Sequence, residues 1–321
     1  MQPGPDTLRL VGDVGGTNAR FALLDDFGHL QAIETLATAD HADLAAAVQA
    51  YLAPLGRPAL REAAVAIANP IEGDWLQMTN SPWRFSIEAT RQALGLRRLC
   101  MLNDFEALAM SVPGLAGAQL EAVGGGSAAE GAPKVVIGPG TGLGMASLVR
   151  GPGGRWLAVA GEGGHATLAP TCAREADILR VLWQRHEHVS VERAVSGMGL
   201  ENLYRAIATL DGVPVQPLAA ADISQRALAG ADAQCTEALE CFCALLGAAA
   251  GNLALTLGAR GGVYVGGGIV ARLGDWFARS PFRAAFEAKG RYRDYLGRIP
   301  TWVIRAEEPA LLGAARALQQ D

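Results

Sequence analysis

Two glycine-rich segments of the 321-residue chain are suited to binding phosphate groups. Residues 12–18 read GDVGGTN and residues 138–144 read GPGTGLG, and each follows an apolar run typical of a β-strand. Because glycine has no Cβ, such turns adopt positive φ angles and leave backbone N–H groups open to an anion. Taken alone, the first segment favours an ordinary hairpin turn. Two such turns in equivalent positions of two halves favour polyphosphate binding instead.

Asp13 stands at the end of the first predicted strand, where its carboxylate can hold a water on Mg²⁺, a hard cation that takes oxygen ligands. A third glycine cluster, residues 261–269, carries Gly266, Gly267 and Gly268 between a predicted strand and a predicted helix. Its G-x-G-x-x-A spacing is a weak dinucleotide signal, since it lies late in the chain. The cluster could let a nucleoside lie against the backbone, and close packing of helix on strand explains it about equally well.

Asp104 supplies a carboxylate at the point where a predicted strand leads into a helix, directly after Asn103. A helix N-terminus stabilises an ionised carboxylate by ~0.3–1 kcal/mol, so Asp104 is predicted to be charged at neutral pH. Asn103 adds a hydrogen-bond donor and an acceptor beside this carboxylate. The alternative is that Asp104 is a plain N-cap, the commoner fate of an Asp at this position.

Glu162 and His165 lie among three glycines in the sequence GEGGH. A segment with so little side-chain bulk suits a ligand with several hydroxyls, because Glu accepts hydrogen bonds and His can donate or accept. Glu192 is a further candidate hydroxyl acceptor, or simply the ion-pair partner of Arg193.

The elements that must position these residues occur in a repeating order. In the first part, strands are predicted at 8–12, 20–24, 32–36, 63–68 and 99–102, with helices at 41–52 and 87–94. The pattern starts again with strands at 134–137, 145–149 and 155–159. Two hairpins that each open a β-then-α series predict two copies of one α/β architecture with a mixed sheet in each. Residues 123–133 are predicted to be a flexible surface connection.

Composition narrows the class of function. Half of the residues are hydrophobic and 18% are charged, which allows a sizeable core, and the net charge of -5 disfavours nucleic-acid binding. Five cysteines without a C-x-x-C pair make a disulfide framework improbable and predict a reducing, cytoplasmic location. Residues 1–8 show no secretory signal, and the apolar run 244–257 is predicted to be too short to span a membrane.

Five motifs in a fixed order resemble those of the bacterial glucokinase family, part of the hexokinase–actin–Hsp70 superfamily. The motifs are residues 13–20, 103–106, 138–144, 161–165 and 192–200, so the resemblance extends over nearly the whole chain. It implies an α/β, two-domain actin-like ATPase (ribonuclease H-like) fold, with a mixed sheet in each domain and a cleft between. The small domain is predicted to comprise 1–114 plus 306–321, and the large domain 115–305.

The resemblance also implies the reaction and the residues that perform it. The reaction is transfer of the γ-phosphoryl of ATP to the 6-hydroxyl of glucose, with Mg²⁺ held by Asp13 through water, in a homodimer. Asp104 is the implied general base. The implied sugar-binding residues are Asn103, Asp104, Glu162, His165 and Glu192. The implied ATP-binding residues are Gly12, Asp13, Val14, Gly15, Gly16, Thr17, Gly138, Gly140, Thr141, Gly142, Gly266, Gly267 and Gly268. Residues 79–83, TNSPW, resemble the family's sugar-side loop.

One departure from a related group bears on His165. The repressor–kinase group follows its EGGH motif with a cysteine cluster that binds zinc, whereas only Cys172 stands near it here. We therefore predict no structural zinc and a His165 that is available to the sugar.

Alternative functions remain open at this stage. The acceptor could be another hexose or an amino sugar, and the donor could be polyphosphate. A non-catalytic sugar-sensing regulator is disfavoured because only seven residues precede the first predicted strand, too few for a helix-turn-helix. An ATPase of the actin or Hsp70 type would not need Glu162, His165 and Glu192 together.

Overall fold

Residues 8–25 and 27–319 are described by a computed structural model, and the chain divides into two units. The first unit comprises Met1–Leu115, Gly151–Ala160 and Ala306–Asp321, and the second comprises Ala116–Arg150 and Gly161–Arg305. The sequence predicts residues 115–305 as one continuous stretch, whereas the structure groups Gly151–Ala160 with the first unit. Residues 1–7, predicted to lack a secretory signal, lie outside the described residues.

The strands and helices alternate along much of the chain. The strands are β1 (Arg9–Val14), β2 (Asn18–Leu24), β3 (Leu30–Ala37), β4 (Glu62–Ile67), β5 (Trp75–Gln77), β6 (Arg84–Ser86), β7 (Arg98–Asn103), β8 (Leu120–Ala122), β9 (Lys134–Pro139), β10 (Leu143–Arg150), β11 (Trp156–Gly161), β12 (Val263–Val265) and β13 (Thr301–Ile304). The helices are α1 (Leu44–Leu52), α2 (Ile87–Ala93), α3 (Asp104–Ser111), α4 (Ala173–Trp183), α5 (Gly197–Leu210), α6 (Ala220–Leu228), α7 (Ala233–Leu257), α8 (Gly268–Leu273), α9 (Asp275–Arg279), α10 (Phe282–Glu287), α11 (Arg293–Gly297) and α12 (Pro309–Gln319).

The first unit contains a mixed sheet in the order β3-β2-β1-β4-β7. β1 is antiparallel to β2 and parallel to β4, which is in turn parallel to β7. In this register Val14 lies beside Ile67, and Ile67 lies beside Asn103. The carboxyl ends of three strands therefore meet at one edge of the sheet, and whatever follows each strand is placed there.

Helices cover the sheet of the first unit and return the end of the chain to it. Leu311, Ala314 and Leu318 of α12 are buried against apolar side chains of β1, β2 and β4. α12 also crosses α3 so closely that a Cβ on Gly313 would collide with the carbonyl oxygen of Ala107. A glycine at this crossing lets the two helix backbones approach.

The second unit repeats the same plan. Its sheet runs β10-β9-β12-β13-β8, with β9 and β10 joined as an antiparallel hairpin and β12 parallel to both β9 and β13. Ile137 lies beside Val265, and Val265 lies beside Val303. The predicted α/β class with two copies of one hairpin-led architecture is therefore confirmed.

The helix α7 is the core element of the second unit. The apolar run 244–257, predicted to be too short to span a membrane, is part of a helix 25 residues long, or ~37 Å at 1.5 Å per residue. The helix is longer than the apolar run because it begins at Ala233, so the prediction that this segment is too short is wrong. By length and composition alone α7 could cross a membrane, and 67% of its most apolar window is buried inside the protein. Its apolar side chains form the core with those of α5, α6 and α10.

The connection between β8 and β9 makes backbone hydrogen bonds to other segments. Ser127 N–H donates to the Arg298 carbonyl oxygen (3.1 Å), and Ala129 N–H donates to that of Arg260 (2.9 Å). Gly126 has a φ of 104°, and a Cβ there would lie 2.7 Å from the Arg298 oxygen. The predicted surface connection joins two strands of the second unit, and these hydrogen bonds and the close approach at Gly126 anchor it to neighbouring segments.

Candidate active site

The first glycine turn is a three-residue hairpin between β1 and β2. Gly15 N–H donates to the Asn18 carbonyl oxygen (2.9 Å). The Thr38 hydroxyl donates to the Gly16 carbonyl oxygen (2.7 Å), and a Cβ on Gly16 would lie 2.6 Å from the Asn80 carbonyl oxygen. The turn is therefore held in place by its neighbours while the Thr17 side chain is exposed.

A cavity of about 350 Å³ lies at the edge of the sheet where these strands end. Its lining combines the glycine turn with two carboxylates and one guanidinium, from Asp13, Val14, Gly15, Gly16, Thr17, Asn18, Arg20, Ala68 and Asp104. The predicted phosphate turn and the predicted general base thus line one cavity of the first unit. The sheet register explains this, because the turn follows β1 and Asp104 follows β7.

The electrostatics of this cavity act on Asp13. Burial, and then the neighbouring charge of Asp104, raise the pKa of Asp13 to about 6. Glu308 also raises that pKa, and Arg20 lowers it. The cavity therefore gathers negative charge that a bound cation would offset.

Asn103, and not Asp104, caps helix α3. The Asn103 Oδ1 accepts from Phe105 N–H (2.9 Å), and the Glu106 carboxylate accepts from Asn103 N–H (2.9 Å). This reciprocal pair is a capping box, so the alternative of Asp104 as a plain N-cap is wrong. The Asn103 Nδ2 donates to the Asn69 carbonyl oxygen (3.4 Å), and the second N–H of the amide can donate to a ligand.

The segment Thr79–Trp83 contributes structure as well as surface. Trp83 is fully buried, and its Nε1–H donates to the carbonyl oxygens of Thr38 (3.0 Å) and His41 (2.8 Å). Trp83 is therefore a core residue, while Asn80 of the same segment lies against the phosphate turn.

The second glycine turn, between β9 and β10, is closed by a hydrogen bond from Gly140 N–H to the Gly142 carbonyl oxygen (2.8 Å). The Gly266–Gly268 cluster packs directly on it. A Cβ on Gly267, whose φ is 88°, would collide with the Pro139 carbonyl oxygen, and Gly266 N–H donates to the Ile137 carbonyl oxygen (2.9 Å). The structure brings these two predicted nucleotide segments together.

Glu162, His165 and Glu192 form one polar cluster in the second unit. The His165 Nδ1 lies 3.7 Å from a Glu162 oxygen, and its Nε2 lies 3.8 Å from a Glu192 oxygen. About two-thirds of the Glu162 and His165 side chains is exposed, whereas Glu192 is largely buried. The alternative of Glu192 as partner of Arg193 is wrong, because the Arg193 guanidinium reaches the Met198 sulfur (3.7 Å).

Sequence reasoning missed two residues beside these clusters. Glu308 pairs with Arg20 across 288 positions of the chain. It has a φ of 49°, unusual for a residue other than glycine, and the only local signal is that it precedes Pro309 at the start of α12. His188, an exposed residue, contacts the carbonyl oxygen of His165 through Nε2 (3.0 Å).

The donor groups of the first unit fit a magnesium ion that also binds phosphate. Within residues 8–25 and 27–319, no group of three or more His, Cys, Asp or Glu side chains could hold a metal. Mg²⁺ does not need such a group, because it keeps several waters and binds one or two carboxylates together with phosphate oxygens. Asp13, beside Asp104 and the phosphate turn, supplies that donor set.

Comparisons with known proteins show which family the chain resembles. A family model described as Glucokinase matches residues 10–321 of the chain. The glucokinase of Chromobacterium violaceum is 55% identical, over 97% of this chain and 89% of that protein. The glucokinase of Aromatoleum aromaticum is also 55% identical, over 97% of this chain and 94% of that protein. The crystal structure of a glucokinase from an Antarctic psychrotroph has a TM-score of 0.90 at 37% identity and covers 98% of this chain and 99% of that one.

Proposed function

This chain belongs to the glucokinase family, and on that premise we propose that it transfers the γ-phosphoryl of ATP to the 6-hydroxyl of D-glucose. It is an ATP-dependent hexose kinase with a two-domain actin-like ATPase fold, ribonuclease H-like in each unit. The products are glucose 6-phosphate and ADP, the outcome of the first step of glycolysis. One observation carries the proposal: Asp104 and the glycine turn of β1–β2 line the same cavity.

Asp104 acts as the general base in the first unit. Its carboxylate stands at the start of α3, where the helix N-terminus favours the ionised form. It takes the proton of the sugar 6-hydroxyl as the phosphoryl group is transferred in line. Asn103 binds an adjacent sugar hydroxyl with the second N–H of its amide, since Oδ1 caps the helix and the other N–H donates to Asn69.

Glu162, His165 and Glu192 bind the other sugar hydroxyls in the second unit. Each carboxylate lies under 4 Å from the imidazole, so the three side chains present donors and acceptors within one small area. Such an array matches a polyhydroxyl ligand better than an apolar or singly charged one.

The backbone of both glycine turns, with Thr17 and Thr141, binds the ATP phosphates, and Gly266–Gly268 binds the nucleoside. Mg²⁺ held by Asp13 through water would offset phosphate charge. Positioning and charge neutralisation supply most of the catalysis in phosphoryl transfer, so the protein needs no covalent step.

We also propose a cytoplasmic homodimer. Within residues 8–25 and 27–319, Cys172, Cys235, Cys241 and Cys243 form no disulfide, which supports a reducing compartment. The dimer rests on the family resemblance alone, and light scattering during size exclusion measures it.

An ADP-release assay across hexoses tests the reaction. With ATP and Mg²⁺, glucose should give a higher kcat/KM than mannose, glucosamine or N-acetylglucosamine, and an equal response to all four sugars would contradict the assignment. Asp104→Asn should lower kcat by ~10²–10⁴-fold, the usual contribution of a general base. Asp275, the first residue of α9, is a matched control, since Asp275→Asn changes the same position of a helix outside the site. More than about a tenth of the parent kcat in Asp104→Asn would rule out the base role.

A further inference from the structure

The two carboxylate oxygens of Glu192 have different partners. Oε1 lies 3.8 Å from the His165 Nε2, in the polar cluster assigned to the sugar. Oε2 accepts a hydrogen bond from the backbone N–H of Leu143 at 2.7 Å. Leu143 is the residue at which the second glycine turn re-enters β10. One side chain therefore belongs to both the sugar cluster and the nucleotide turn.

The turn is shaped to receive this carboxylate. A Cβ at Gly142 would lie 2.5 Å from the Glu192 Oε2, so a side chain at position 142 would displace the oxygen from Leu143. The main chain on the C-terminal side of Glu192 holds the opposite side of the turn, since Gly197 N–H donates to the Gly140 carbonyl oxygen at 2.9 Å.

The segment from Glu192 to Gly197 is itself rigid. The Ser196 hydroxyl donates to the Glu192 carbonyl oxygen (2.8 Å) and accepts from Gly199 N–H (2.9 Å) as the N-cap of α5. A Cβ at Gly199 would also lie 2.9 Å from the Glu192 carbonyl oxygen. The contacts that Glu192 and Gly197 make with the turn therefore both come from the segment that leads into α5.

We propose that Glu192 and Gly197 are positioning residues for the second glycine turn. Glu192 holds the Leu143 N–H with one oxygen and keeps the other for a sugar hydroxyl, and Gly197 fixes the Gly140 carbonyl. The turn is then preorganised for the nucleotide before any sugar binds. This inference rests on the proposed function, because it takes the turn to be a nucleotide-binding element.

Affinity for ADP in the absence of sugar separates this role from sugar binding. Glu192→Ala removes the acceptor and should raise the Kd for Mg·ADP by about three- to tenfold, the range that one net hydrogen bond contributes. Glu192→Gln keeps an oxygen that can accept from Leu143 and should stay within about twofold of the parent. The effect of charge alone has the opposite sign, since either substitution removes a carboxylate that repels phosphate. Glu192→Ala binding no more weakly than Glu192→Gln would overturn the role.

Glu162 provides a matched control for the loss of a carboxylate. It lies at nearly the same distance from His165 as Glu192 does, and its side chain is largely exposed. Glu162→Ala should weaken glucose binding without weakening sugar-free ADP binding. Equal weakening of ADP binding in Glu162→Ala and Glu192→Ala would contradict a specific hold on the turn.

Position 197 tests the second contact without touching a sugar ligand. Gly197 is the first residue of α5, where proline is well tolerated, and the preceding Ser196 is extended as proline requires. Gly197→Pro deletes the N–H and places a ring CH2 where the hydrogen pointed, so the Gly140 carbonyl must move and the Kd for Mg·ADP should rise at least threefold, with unchanged glucose affinity. Gly197→Ala keeps the N–H, and its Cβ would lie 3.5 Å from the Gly140 oxygen, an ordinary contact. Equal ADP affinities in the proline and alanine variants would overturn the role of Gly197.

Failure of the premise gives a different result. If the parent chain binds no ADP at millimolar concentration, the nucleotide assignment of the turn falls and this inference falls with it. If the parent binds ADP and all the variants bind it equally, only the positioning roles are overturned. Isothermal titration calorimetry measures every affinity in this set.

Discussion

Asp13→Asn should stabilise the ligand-free protein at neutral pH while abolishing its activity. The folded-state pKa of Asp13 is raised from 3.8 to about 6, first by burial and then by Asp104. The folded protein therefore binds a proton more tightly than the unfolded chain, and unfolding free energy falls as pH rises between these two values. At 1.36 kcal/mol per pKa unit, ionisation of Asp13 lowers the free energy of unfolding by ~3 kcal/mol above pH 7 and by about 0.5 kcal/mol at pH 4.

Urea unfolding of parent and variant at pH 4 and pH 7.5, with EDTA and without nucleotide, measures this difference. An asparagine has nearly the same shape and no charge, so the variant should be more stable by up to ~3 kcal/mol at pH 7.5 and almost unchanged at pH 4. Turnover should be lost at both pH values, because an amide is a poorer partner than a carboxylate for a Mg²⁺-bound water. A destabilised variant at pH 7.5, or the same difference at both pH values, would refute the reasoning.

Asp25 is a control of opposite sign in the same unit. Its carboxylate accepts backbone N–H groups of His29 and Phe27, and these bonds hold the pKa of Asp25 below its ordinary value. Its stabilising effect is present above the unfolded-state pKa and is lost as pH falls through the folded-state pKa. Asp25→Asn should therefore lower stability more at pH 7.5 than at pH 3, with turnover retained. Stabilisation by both Asp→Asn changes would show a general charge effect instead.

Three further substitutions test other parts of the first unit. Gly313→Ala should destabilise the protein by ~1–3 kcal/mol in urea unfolding, because its Cβ would meet the Ala107 carbonyl oxygen where α12 crosses α3. Trp83→Phe removes the indole N–H that two buried carbonyls share and should cost ~1–3 kcal/mol in the same measurement, whereas an unchanged midpoint would contradict that role. Glu308→Gln should lower the pKa of Asp13, because it removes a negative charge and releases Arg20 from its ion pair. Carboxyl ¹³C NMR measures that pKa. The loss of this partly exposed ion pair should change the free energy of unfolding by at most ~1 kcal/mol.

The shared location of the first glycine turn and Asp104 could be predicted from the sequence because it follows from strand order. The glycines at positions 12, 15 and 16 predict the turn after β1, and the Asn-Asp pair predicts the end of β7. Once both strands are parallel members of one sheet, their carboxyl ends share an edge. The sequence could not decide between Asn103 and Asp104 as the cap, since both are good N-cap residues and one residue of register separates them.

Contacts between residues distant in sequence were not predictable in this way. Glu308 reaches Arg20 across 288 positions, and no local pattern marks a glutamate as the partner of a site arginine. Likewise, Glu192 could be identified as a candidate hydroxyl acceptor, but its hold on Leu143 depends on a packing arrangement 49 residues apart. Such side-chain pairs depend on how the helices pack on the sheets. Residue types and periodicity do not determine that packing.

The two glycine turns occupy equivalent positions in their sheets, but different neighbouring groups require glycine in each. At Gly16 a Cβ is excluded by the backbone of Asn80, so the first turn requires glycine because another segment packs on it. At Gly142 the excluded volume belongs to the carboxylate of Glu192, so the second turn requires glycine because a side chain assigned to the sugar reaches into it. Gly140, in contrast, has nothing within 4 Å of a Cβ, and its glycine leaves the backbone open where a phosphate group would approach. The two turns occupy equivalent hairpins but contact different neighbours. The second turn contacts a side chain of the polar cluster, so the link between the turn and that cluster lies in the second unit.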